Sequence, residues 1–180
     1  MKVTEIWERI EHYLAKNFPQ HLACLNLGAM EEEIVYAETV MKIRLPEDFR
    51  ESLKRHNGQN PKSAMSIFGF GELVPLEDIV RTWRFLENLH EDQNWRESIA
   101  TAHPSVKANW WNLCWVPITS DGCGNHECLD LNPTSEGHLG QVITMWHDDS
   151  SRSLCAASFA DWLEDCAQEI ERGDRDDYLL

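Results

Sequence analysis

No stretch of this 180-residue chain supplies the ~20 consecutive apolar residues needed to cross a bilayer. The opening M-K-V-T-E-I-W-E-R-I interleaves charge with apolar residues and so lacks the core of an export signal. Positive charge is scarce, with 16 Lys and Arg against 31 Asp and Glu and a formal charge of -15. That balance repels nucleic-acid phosphates and anionic membranes and attracts basic partners, which disfavours direct nucleic-acid binding. The glycines of D-G-C-G and G-H-L-G precede neither a G-x-x-x-x-G-K pattern nor a helix start, which excludes a phosphate loop. Internal repeats and low-complexity tracts are absent as well. Six cysteines without an export signal read as buried thiols of a cytoplasmic protein, not as a disulfide framework.

What is present is enough for one ordinary domain: 42% hydrophobic residues and eight tryptophans. A single domain over residues 1–180 is expected, its last seven or so residues an acidic tail. Val3, Ile6, Trp7, Ile10, Tyr13 and Leu14 recur at helical spacing, and Asn17 with Pro19 ends that helix. After a glycine stop at Gly28, a second helical stretch passes through Ile34 and Val40. Leu45 to Gly58 forms a compact helix with Pro46 in its first turn, acids at its start and Lys54, Arg55 and His56 at its end. S-I-F-G-F reads as a strand, and Pro75 opens a helix whose stripe is Leu76, Ile79, Val80, Trp83 and Leu86. Residues 90 to 112 are a polar surface excursion with a helical or irregular stretch around Trp95 and Ile99.

From Leu113 the period turns extended. L-C-W-V-P-I, Glu127 to Leu131, Gln141 to His147 and Arg152 to Ala157 are strands separated by the Asp121-Gly122 turn, a Gly-containing loop and a polar hairpin loop. Ser158 with Asp161 starts a last helix that buries Phe159, Trp162, Leu163, Cys166 and Ile170 and ends at Gly173. N-terminal helices, a mainly antiparallel meander and a closing C-terminal helix define an α+β class.

Several residues could carry chemistry. Cys123, His126 and Cys128 lie close together, with His138 and His147 beyond, and are ligand types that zinc prefers, but C-x2-H-x-C is not a standard zinc spacing. Cys128 falls inside an apolar strand, where a buried thiol is common. A small metal or thiol enzyme is therefore the third-ranked reading, and no metal or cofactor is expected. Asp130 sits between two apolar residues of a strand and fits a hydrogen-bonded structural role better than catalysis. Trp110 and Trp111 cannot both face one interior in an extended chain, so one of them is a candidate exposed contact.

The ordered set L-P-E-D-F-R, H-N-G, L-V-P-L-E-D-I with Trp83, W-V-P-I, D-G-C-G-N, C-L-D-L-N-P, G-Q-V-I and S-F-A-D-W-L resembles the SUKH superfamily over about residues 45 to 165. That superfamily includes fungal cell-wall assembly (glucan synthesis) regulators and many bacterial immunity proteins. The resemblance assigns Leu45, Pro46, Asn57, Gly58, Trp83, Trp115, Pro117, Asp121, Gly122, Gly124, Asp130, Gly140 and Trp162 to holding the fold. It implies a non-enzymatic binding domain, in bacteria one that covers a toxin, often a nuclease. With the acidic balance, the first expectation is an immunity protein for a basic toxin domain, and the second a regulatory scaffold. Glu31, Glu32, Glu33, Asp148, Asp149, Glu164 and Asp165 are the expected partner-binding acids.

Overall fold

A computed structural model describes residues 2–60, 67–68, 71–91 and 100–174. Six helices are defined there: α1 (Val3–Asn17), α2 (Pro19–Leu22), α3 (Glu31–Met41), α4 (Glu47–Arg55), α5 (Leu76–His90) and α6 (Phe159–Arg172). The strands are β1 (Glu72–Leu73), β2 (Thr101–Ala102), β3 (Trp115–Pro117), β4 (Thr119–Ser120), β5 (His126–Asp130), β6 (Gln141–Met145), β7 (Ser151–Arg152) and β8 (Leu154–Ala156). The class is α+β, with helices first, then an antiparallel sheet of order β3-β5-β6-β8, then the closing helix.

Local chemistry sets the helix ends. In α1 the stripe Val3, Ile6, Trp7, Ile10 and Leu14 is buried, and Asn17 Nδ2 donates back to the Tyr13 carbonyl at 3.0 Å. Three glutamates occupy the first turn of α3, where the helix dipole favours negative charge, and the Met30 amide donates to Glu33 Oε2 at 2.7 Å. Pro46 precedes α4 as its N-cap, one residue outside the turn that the sequence suggested, and the helix closes at Arg55, before Asn57-Gly58. Ser158 Oγ accepts the Asp161 amide at 3.1 Å to start α6, and Gly173 closes it in the left-handed region.

The core runs from α1 and α4 through α6 onto β6 and β8, with α5 packed on β3. Phe49 of α4 meets Phe159 of α6 edge-on at 4.9 Å, and Trp7 Nε1 donates to Ser52 Oγ at 2.9 Å. Arg9 of α1 clamps α6 through Glu164 at 2.7 Å and Glu171 at 2.6 Å. Gly140 sits at φ 86° with Pro46 Cγ only 2.9 Å from where a Cβ would stand, so only glycine fits.

Strand limits differ from the sequence reading in places. The returning strand from Arg152 to Ala157 is split into β7 and β8, because β7 pairs parallel with β2 of the excursion while β8 pairs antiparallel with β6. Arg152 makes that detour stable: it is 1% exposed, its Nη1 donates to the carbonyls of Asp149 and Ser151, its Nη2 donates to the Trp110 carbonyl, and its guanidinium lies over the Trp110 ring. Trp111 is buried and Trp110 half-buried beneath Arg152, so neither is the free contact expected of one of them. Of S-I-F-G-F, Ile67 and Phe68 are buried and Phe68 bridges to Gly71. The rest of that strand, the helical stretch around Trp95 and Ile99, and the end of the acidic tail lie outside the described residues.

Candidate functional site

Helices α3 and α5 pack side by side with a residue outside both as their joint. The Asn57 amide donates to the Leu27 carbonyl in the lead-in to α3, its Oδ1 accepts the Leu76 amide of α5 at 2.8 Å, and its carbonyl accepts Asn26 Nδ2 at 2.9 Å. Gly58 turns the chain at φ 64°, with the Val74-Pro75 backbone 2.5 Å from where a Cβ would stand. Between the two helices opens a groove of about 750 Å³. Ala37, Leu76 and Val80 form its apolar floor, and Tyr36 and Phe85, 61% and 60% exposed, stand along its walls. Glu32, Glu33 and Glu77, from the first turns of the two helices, bring negative charge to it, while Arg81 and Arg84, further along α5, bring positive charge. A second hollow of about 590 Å³ opens between α5 and the D-G-C-G-N turn and shares Arg81 and Phe85 with the first. Phe85 is thus common to both hollows.

The acids expected to meet a partner are distributed over three elements. Glu31 is engaged by Arg50 and Lys54, and buried Arg50 also holds Glu38 at 2.6 Å, so these groups tie α3 to α4. Glu32 and Glu33 reach the groove. Asp148 and Asp149 sit in the loop after β6, where the Ser151 amide donates to Asp149 Oδ1 at 2.7 Å and holds that carboxyl below its ordinary range. Glu164 is clamped by Arg9, which holds its pKa down against the opposing effect of burial. Asp165 is exposed on α6, its pKa raised by partial burial and by Glu169, Asp161 and Glu164. Glu31 and Glu164 are therefore already engaged in ion pairs between helices.

The cysteine and histidine group does not assemble. Cys123 is exposed in the turn, whereas His126 and Cys128 lie buried on β5. His126 Nδ1 is 2.7 Å from the Thr119 carbonyl, which fixes the donating nitrogen, and burial holds the ring below the usual histidine range. Burial pushes the Cys128 thiol well up, away from the thiolate that a nucleophile or a metal needs. Among the described residues no three His, Cys, Asp or Glu are grouped to hold a metal ion, and no helix is long and apolar enough to cross a membrane.

The motif residues meet in the sheet. Trp115, Asp130 and Gln141 are register partners on three adjacent strands. Trp115 Nε1 and the Asn132 amide donate to Asp130 Oδ1 at 3.1 and 2.9 Å, and Gln141 Nε2 donates to Oδ2 at 3.0 Å. Asp130 is fully buried, and burial raises its pKa against these donors. At the turn, burial pushes Asp121 up, but the amides of Cys123 and Asn125 and the Asn125 side chain outweigh it and leave the carboxyl low. Trp83 Nε1 donates to the Leu113 carbonyl at 3.0 Å, and Trp162 Nε1 to Glu127 Oε1 at 3.2 Å. Pro117 ends β3, an edge strand.

Tyr36, Arg81, Arg84 and Phe85 were not singled out by the sequence reading. A signal exists in the helical period: Phe85 falls off the stripe of Leu76, Ile79, Val80, Trp83 and Leu86, and Tyr36 lies two residues past buried Ile34. An aromatic residue displaced from the buried face of an amphipathic helix is a candidate contact.

Helices on an antiparallel sheet, with buried polar groups committed to the scaffold and an open groove between two helices, define an α+β domain with no assembled catalytic or metal group among the described residues. A family model described as the SMI1 / KNR4 family (SUKH-1) matches residues 28–165, and the chain belongs to that family. Its relatives include the "Cell wall biosynthesis/cell cycle regulator smi1" of Schizosaccharomyces pombe, 28% identical over 99% of this chain and 39% of the relative. The "Glucan synthesis regulatory protein" of Neurospora crassa is 24% identical over 95% of this chain and 39% of that protein. The "Cell wall assembly regulator SMI1" of Saccharomyces cerevisiae is 23% identical over 96% and 42%. The chain thus spans about two fifths of the length of the curated relatives it matches. These relatives are fungal and named as regulators, which favours the regulatory expectation over toxin immunity.

Proposed function

We propose that this chain is a regulatory protein-binding domain that acts in the cytoplasm without turnover and serves cell-wall or glucan synthesis control, as its relatives' names describe for them. One observation carries the reading: proteins named as such regulators align along 95–99% of the chain, well past the segment that resembles the family by motif. The charge of -15 supports basic protein partners and speaks against nucleic acid. Replacing the matching segment of the Schizosaccharomyces pombe relative with residues 1–180 tests the reading. The chimera is expected to retain growth on an inhibitor of glucan synthesis. A chimera present at normal level that grows no better than a deletion of the segment overturns it.

A further inference from the structure

Five of the seven large apolar side chains exposed among the described residues, Leu27, Met30, Val35, Tyr36 and Phe85, belong to α3, its lead-in and α5. Folding therefore concentrates exposed apolar side chains on these elements, alongside the charged residues that line the groove. In the groove itself the two aromatic walls flank a floor already buried by the packing of α3 on α5. Aromatic anchors over a buried apolar floor are of the kind that dominates docking energetics.

Charge along the groove says what fits. Glu32 and Glu77 carry no ion pair among the described residues, and Arg84 carries none either, while Arg81 pairs only with Asp78 at 2.7 Å. In a chain with 31 acids and 16 bases, two arginines about one turn apart beside an apolar floor give the groove a direction, acidic by the first turns and basic further along α5. From Leu76 to Asn88, α5 offers a wall of about 18 Å, the length of some three helical turns. A second copy of the chain would bring another charge of -15 against the first and is disfavoured.

We infer that the groove between α3 and α5 receives an amphipathic helical segment of a partner protein, apolar along one stripe, basic beside Glu32, Glu33 and Glu77, and acidic beside Arg81 and Arg84. This deepens the reading of the chain as a protein-binding domain and rests on it. The apolar stripe lies on Ala37, Leu76 and Val80, and Tyr36 and Phe85 close over its sides.

The test uses the growth-competent chimera with a photo-crosslinking benzoylphenylalanine at Tyr36 or Phe85, and at exposed Leu139 as a control. The expected adduct joins the groove positions, and not Leu139, to a peptide of another protein with apolar residues three or four apart and basic residues toward one end. A synthetic copy of that peptide should bind the purified chain at least about tenfold more weakly after Tyr36→Ala or Phe85→Ala, and unchanged after Leu139→Ala. An adduct to a second copy of the chain, to a peptide without that pattern, or to nothing overturns the inference. So does binding indifferent to Tyr36 and Phe85. Because the unsubstituted chimera is scored for growth first, failure here is separate from failure of the regulatory reading.

Discussion

At the scale of single residues, Asp130 shows how a carboxylate can look like chemistry and serve architecture. Three donors converge on its two oxygens from two neighbouring strands and the following turn, and no other buried acid of the sheet is so enclosed among the described residues. Removing the acceptor strands those donors, so Asp130→Ala should lower unfolding free energy by roughly 2–4 kcal/mol in urea titration. Asp130→Asn should still lose roughly 1–3 kcal/mol, because one of its positions then sets a donor against a donor. Unchanged midpoints for both would remove the network from the fold's energetics. Gly140 offers a sharper check: Gly140→Ala should cost roughly 1–3 kcal/mol from its positive φ and from Pro46. Pro46→Ala in the same chain should recover only the steric part, measured as a coupling in a double-mutant cycle. The alternation of the strand made Asp130 conspicuous in the sequence. Its partners Trp115 and Gln141 were not legible as partners, since register depends on tertiary pairing and not on either strand alone.

Elements were legible where a period ran long. The helices opening at Val3, Leu76 and Phe159 follow from apolar spacing and end residues, and the antiparallel order of the sheet follows from its short turns. What escaped was long-range: β2 pairs with β7 across 50 positions, and only the burial of Arg152 against the Trp110 carbonyl reveals why. The joints between helices are ionic. Arg55, with His56, holds Glu11 below the usual carboxylate range, and Arg9 does so for Glu171 and, against burial, for Glu164. Each folded pKa is depressed, so the stabilisation is present above the ordinary glutamate value of about 4.3 and is lost as pH falls through the folded values. Partial exposure keeps each pair modest. Thermal melts of wild type and Arg9→Gln should therefore differ most above the ordinary glutamate value of about 4.3 and converge as pH falls below it. A constant difference across that range would show that Arg9 works by packing alone.

For the whole molecule, some of the acids that composition made conspicuous are fasteners between helices, and the proposed docking groove is assembled from helices some 40 positions apart in the chain. No local pattern spans that distance, so the groove is a property of the packed helices and not of either segment alone. Tyr36→Ala and Phe85→Ala should leave stability within about 0.5 kcal/mol, since both side chains are mostly exposed. Trp83→Ala, on the buried side of the same helix, should cost roughly 3–5 kcal/mol. Denaturant midpoints decide it, and a large loss from the exposed pair would mean that the groove is part of the core. The joint at Asn57 adds one more consequence. Because a single amide side chain and its own backbone hold the start of α5 and the approach to α3 together, the spacing between the walls is set when the chain folds. A helix docking there as proposed would meet walls already held in place, so little ordering on this side of the interface would offset the contacts it makes.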